Sequence, residues 1–191
     1  MGEHTLALWA EMNPVTRGHR RSIRLPQHDY GEPGVYFIAV VAWGGEAIFG
    51  HIAGERMIAD EAGRVVQATW EGLAHHFAGL ALDTFVLMPN HIHGVVVIGP
   101  AAQTGLSLGR IVAYLKYQST KGINNVRGTP GLPVWQRNYY EHVVRNGEEL
   151  NRIREYVATN PLRWALDHEN PGHGPRWFEP SGGKPDRAPA E

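Results

Sequence analysis

The 191-residue chain reads as an α+β domain in which helices cover mainly one face of a largely antiparallel sheet. Three features predict this. Runs of β-branched and aromatic residues of strand length alternate with longer stretches whose apolar residues recur at helical spacing. Two of the apolar runs are separated only by Met88-Pro89-Asn90, close enough to form a hairpin. The resulting order is strand, optional short strand, helix, hairpin, helix, strand, helix, which interleaves the two kinds of element as an α+β sandwich does.

Residues 1–33 contain Pro14, Pro26 and Pro33 and a basic cluster of Arg17, His19, Arg20, Arg21 and Arg24. They read as an irregular arm, either an ordinary solvated segment or one whose Arg20 and Arg21 meet phosphates. The domain proper spans 34–168. Val35 to Trp43 is a buried strand bounded by Gly34 and by Gly44-Gly45, and Ala47 to Ile52 is a possible short hairpin partner for it. Val65, Val66, Thr69, Trp70, Leu73 and Phe77 form one face of a helix ending near His75 and His76, which suit its solvated carboxyl end. Leu80 to Met88 and His91 to Ile98 are the hairpin strands. Leu108, Ile111, Val112, Leu115 and Ile123 mark a second helix over 106–124, Val134 to Val144 a strand, and Glu148 to Thr159 a helix with acidic residues in its first turn and Pro161 just beyond it. From 169 onward Gly and Pro are frequent and large apolar residues few, as in a disordered or loosely docked tail.

Composition narrows the chemistry. A net charge of -1 rules out a basic field over the whole protein, so a polyanion partner must meet a local patch. The absence of cysteine removes disulfides, thiolate zinc sites and cysteine nucleophiles, and fits a reducing, cytoplasmic address. No apolar run approaches the ~18 residues of a membrane span, and the first residues lack a signal-peptide pattern, so no membrane association is expected.

The stretch Phe85 to Ile98, FVLMPNHIHGVVVI, is where chemistry concentrates. Alternation along a strand places His91 and His93 on one face and Ile92 on the other, so the two imidazoles can share one divalent ion; solvated or hydrogen-bonded histidines would show the same pattern. Tyr156 and Asn160 are four apart in the last helix and so share its face. A tyrosine hydroxyl can attack a phosphate that a metal polarises, and an amide oxygen can ligate that metal. Packing of Tyr156 on the sheet and capping by Asn160 would also account for them. Tyr114 and Gln118, with Tyr117 alongside, have the same spacing, and spacing alone does not choose between the pairs.

LMPNHIHGVVVI resembles the His-hydrophobic-His (HUH) stretch of single-tyrosine transposases. WQRNYYEHVVRNGEELNRIREYVATNPLRW and RRSIRLPQHDYGEPGVYF resemble the C-terminal part and the N-terminal segment of the REP-associated tyrosine transposases. The resemblance covers most of residues 20–165. It implies a ferredoxin-like or RRM-like sheet, Tyr156 as nucleophile, and His91, His93 and Asn160 as ligands of Mg2+ or Mn2+. It also implies cleavage and rejoining of single-stranded DNA beside hairpins or REP-like palindromes through a 5′-phosphotyrosine, by a nucleoid-associated monomer or homodimer. The stretch AVVAWGGEA departs from the family in being more apolar than the polar segment expected there.

Between Arg110 and Arg163 nine basic residues face four acidic ones, an excess able to follow a phosphate backbone. Lys116, Arg137 and Arg145 are the candidate phosphate contacts there, and Tyr139, with Trp135 and Tyr140, a candidate base-stacking residue. A non-catalytic DNA- or RNA-binding module derived from a transposase is the alternative reading. A small-molecule metalloenzyme is a third, with no further His or carboxylate at obvious ligand spacing from His91.

Overall fold

The computed structural model describes residues 32–166 and Asn170; the basic arm with Arg20 and Arg21, and nearly all of the Gly/Pro-rich tail, lie outside the described residues. The elements are β1 (Gly34–Val41), β2 (Gly50–Ala53), β3 (Arg56–Ala59), α1 (Glu61–His76), β4 (Leu80–Leu87), β5 (His91–Ile98), α2 (Leu108–Arg127), β6 (Tyr140–Val144) and α3 (Gly147–Thr159), followed by a 3-10 turn over Pro161–Leu166. Four strands form one antiparallel sheet in the order β4-β5-β1-β6. With the β2–β3 hairpin set aside, this is the α+β, ferredoxin-like arrangement expected from the sequence.

Alternation sorts the central strands. Tyr36, Ile38 and Val40 of β1 and Ile92, Val96 and Ile98 of β5 are buried with Val66, Trp70 and Leu73 of α1 and Ile111, Val112 and Leu115 of α2. Phe37 and Val95 point the other way and form a smaller cluster with Ile153 and Val157 of α3. Two helices thus cover one face and a single helix the other, so β1 and β5 are covered on both sides.

Three expected boundaries are corrected. Val35 to Trp43 does not run as one strand: β1 ends at Val41, and Trp43-Gly44-Gly45 is a 3-10 turn with both glycines at positive φ (66° and 69°). Ala47 to Ile52 is not a partner of β1, whose two edges are taken by β5 and β6. Instead β2 pairs with β3 across Gly54-Glu55, both at positive φ (54° and 64°), as a tight hairpin turn requires. Val134 to Val144 is a strand only from Tyr140. The Lys116 ammonium donates to the carbonyls of Gln136 (2.8 Å) and Asn138 (2.9 Å), with that of Arg137 at 3.4 Å. Successive carbonyls gathered on one cation cannot alternate toward a neighbouring strand.

Gly94 makes room for the core. A Cβ built there would lie 2.3 Å from the Trp70 ring, which stacks on Phe85 at 4.7 Å. Gly94→Val is expected to cost roughly 3 kcal/mol by overpacking, and to lower Tm by about 6–12 °C. A thermal melt matching the wild type would show that Trp70 can move aside.

Candidate active site

α3 brings its chemistry to the sheet through one stripe. Ile153, Tyr156, Val157 and Asn160 fall at i, i+3, i+4 and i+7, and Ile153, Val157 and Asn160 are buried. Asn146 caps the helix by accepting from the Glu149 amide (2.9 Å). Glu149 in turn accepts from the Arg145 amide (2.6 Å) and contacts His142 Nε2 (2.8 Å). At the next turns Arg154 donates through two nitrogens to the Asp83 carboxylate, at 2.8 and 2.6 Å, fastening α3 to β4 beside a register shift. This contact lowers the pKa of Asp83.

The tyrosine hydroxyl of this stripe lies 3.4 Å from His93 Nε2. Its ring meets His93 edge-on at 5.3 Å and Phe37 at 6.3 Å, while Phe37 stacks on His93 at 5.5 Å. Ala39 faces His93 across the ladder. His91 and His93 share this face, with ring centroids 4.6 Å apart, and Trp164 of the terminal 3-10 turn comes within 6.1 Å of His91. Burial pushes the His91 pKa down to about 3, which keeps the ring neutral.

A residue that the sequence marked only as a turn sets the chemistry of His91. Asn90 donates from Nδ2 to the Gly45 carbonyl (2.9 Å), so its Oδ1 faces His91 Nδ1 at 2.8 Å as an acceptor. Nδ1 therefore carries the hydrogen and Nε2 the lone pair, an assignment that follows from the network. The only signal in the sequence was the placement of an amide directly before His91. Asn160, the last residue of the stripe, is 3 % exposed, and its Oδ1 has no hydrogen-bond partner among the described residues. A buried amide oxygen without a donor suits a hard cation. No three of His, Cys, Asp and Glu among the described residues form a group able to hold a metal, so a third protein ligand beside two histidines would be an uncharged oxygen such as this one.

The rival pair lies elsewhere. Tyr114 belongs to α2 and packs against the large cluster on the opposite face of the sheet, stacked on His76 at 3.9 Å. Tyr117 is 66 % exposed. Tyr140 does share the face of the histidines, against Phe37 at 6.2 Å, but burial and the nearby Glu149 push its pKa up to about 12, making it a poor nucleophile. Of the candidate DNA contacts, Arg137 and Arg145 are exposed. Lys116 is occupied by the 136–138 carbonyls and sits 5.6 Å from the Tyr139 ring, so it shapes that loop rather than offering a bare charge. Tyr139 packs against the large cluster. Trp135 is not a stacking surface: it is buried on Phe49 (4.8 Å) and donates to Ser119 Oγ (2.8 Å).

The state of His91 carries a prediction. Its folded pKa lies below the ordinary 6.5, so between these values the unfolded chain holds the extra proton. Stability is then full above about pH 6.5 and falls on acidification toward pH 3, by on the order of 4 kcal/mol. Urea unfolding in chelator across this range measures it, and a flat profile would show His91 to be hydrated.

No family model matches the chain. A protein of Haemophilus influenzae, itself uncharacterised, is 34% identical over 167 residues, covering 78% of this chain and 92% of its own length. The chain belongs to the same family as that protein. Among solved structures, one of a REP-associated tyrosine transposase bound to a REP hairpin superposes with a TM-score of 0.50 at 14% identity, over 78% of this chain and 74% of that one. A candidate transposase from Deinococcus radiodurans gives 0.44 at 15% identity, over 72% and 96%. At 14% identity the first of these likenesses is one of fold: the chain has a transposase-like α+β fold. No helix among its described residues is long and apolar enough to cross a membrane.

Proposed function

We propose that the chain is a metal-dependent single-stranded DNA endonuclease and strand transferase that acts beside DNA hairpins through a 5′-phosphotyrosine. The observation that carries this reading is the Tyr156 hydroxyl at 3.4 Å from His93, on the face shared with His91. The fold likeness to a hairpin-bound transposase supports it.

The Tyr156 oxygen attacks the scissile phosphorus, forming a P–O bond as the bond to the 3′-oxygen breaks; the phenol proton leaves and the 3′-oxygen gains one. Rejoining is the reverse exchange, and because one phosphoester replaces another it needs no nucleotide cofactor. Phe37 holds the Tyr156 and His93 rings edge-on and stacked, which fixes the direction of attack. His91, kept neutral by burial and oriented by Asn90, together with His93 and the Asn160 amide oxygen, would hold Mg2+ or Mn2+. When bound, that ion supplies Lewis-acid polarisation of the phosphate and favours the phenolate over a phenol whose pKa is ordinarily near 10. Arg137 and Arg145 are the exposed phosphate contacts.

The test is a labelled single-stranded DNA carrying hairpins from the chain's own genomic neighbourhood, incubated with manganese and analysed after denaturation. A protein–DNA adduct is the expected result. Tight binding without any adduct would overturn the reading in favour of a non-catalytic binding module.

A further inference from the structure

The turn after β1 presents an aromatic surface at the histidine end of the sheet. Val41 pairs with His91 in the β1–β5 ladder, and the Ala42 amide donates to the Asn90 carbonyl at 2.7 Å. Trp43 therefore lies only two residues beyond the partner of His91, within about 7 Å along the backbone. It is 54 % exposed, whereas Trp70 and Trp135, both in the large cluster, are buried.

A lone exposed tryptophan is ordinary on a protein surface; this one sits on a fixed support. Its amide donates to the Val134 carbonyl (2.8 Å), and the Gln136 amide donates to the Val41 carbonyl (2.9 Å), so 41–43 and 134–136 run side by side. Gly44 and Gly45 hold the turn at φ 66° and 69°, which few side chains tolerate. Asn90 reaches the Gly45 carbonyl with the same amide group that orients His91. The exposed Arg137 follows directly on the paired 134–136 segment.

An indole on a rigid turn, tied through one side chain to the reaction centre, with the exposed Arg137 three residues along the paired segment from Val134, its own backbone partner, offers what single-strand binding requires: a planar surface for a base and a cation for a nearby phosphate. We propose that Trp43 stacks an unpaired base of the bound strand adjacent to the scissile phosphate, with Arg137 on the neighbouring phosphate. This rests on the function proposed above, and makes Trp43 a positioning residue for the strand.

The probe is a fluorescein-labelled DNA hairpin flanked by single-stranded oligo(dT), with binding read by anisotropy in chelator so that no cleavage intervenes. A series with an abasic site at each flanking position is measured against the wild type, Trp43→Ala and Trp43→Phe. Trp43→Ala is expected to weaken binding roughly five- to hundred-fold, the cost of one lost base stack, while Trp43→Phe keeps most of the affinity. One abasic position should weaken the wild type by a similar factor and add nothing in Trp43→Ala. Additive losses at every position, unchanged affinity in Trp43→Ala, or no binding by the wild type would each overturn the proposal. A wild type that binds and shows this coupling yet forms no adduct with manganese would instead sink the catalytic reading and leave the stacking site standing.

Discussion

Tyr156→Phe is expected to lose adduct formation and strand cleavage by more than about 10³-fold, as removal of a nucleophile does elsewhere, while hairpin affinity stays within about a factor of two. The separation follows from geometry. The aromatic ring keeps its edge contacts to Phe37 and His93, so α3 stays docked through Ile153 and Val157. Only the hydroxyl beside His93 disappears. A denaturing gel after incubation with labelled hairpin and manganese decides the matter. A persistent adduct would transfer the role to another side chain. Tyr114 is on the far side of the sheet, and Tyr140 holds its proton too tightly at neutral pH.

The second large effect is at His91. His91→Ala is expected to abolish cleavage and to weaken Mn2+ binding, measured by calorimetric titration of the folded variant, by more than the roughly 10–100-fold that loss of an outer-sphere partner costs. Asn90→Ala, which leaves both imidazoles but frees Nδ1 of His91 to take the other tautomer, should fall within that smaller range. The ordering separates ligand from orienter. Equal manganese affinity in the wild type and His91→Ala would remove His91 from the metal site whatever the cleavage assay showed. Truncating a fully buried ring also opens a cavity and removes the His91 donor to Asn90 Oδ1, so a stability loss of about 2–4 kcal/mol accompanies it.

Much of this arrangement was legible in the residues, for reasons that are local. Two histidines separated by one strand residue must share a face, and a stripe at i, i+3, i+4 and i+7 must face the sheet once Ile153 and Val157 are buried. Which tyrosine helix meets the histidines was not legible from spacing, because Tyr114–Gln118 and Tyr156–Asn160 repeat with the same interval and only the side of the sheet on which a helix docks distinguishes them. The strand expected over Val134 to Val144 breaks after a short pairing of 134–136 because Lys116, twenty residues away in sequence from Gln136, gathers the carbonyls of Gln136 to Asn138 that a strand would have aimed at a neighbour. Trp43 was read as buried for the same kind of reason: an apolar run predicts a strand, and where it stops depends on Gly44 and Gly45 adopting a left-handed backbone. Asn90 escaped notice because it acts through another side chain.

The unequal covering of the sheet has a consequence for how the molecule opens. α1 and α2 are bound into one large cluster with both central strands, whereas α3 rests on the smaller cluster around Phe37, Val95, Ile153 and Val157 and on the Glu149–His142 and Arg154–Asp83 pairs. A helix held in this way is expected to open as its own unit while the larger cluster stays folded. Its amide hydrogens should therefore exchange with solvent sooner than those of α1 and α2. The tyrosine it carries can be withdrawn and returned by a local excursion, at a fraction of the free energy that global unfolding would demand.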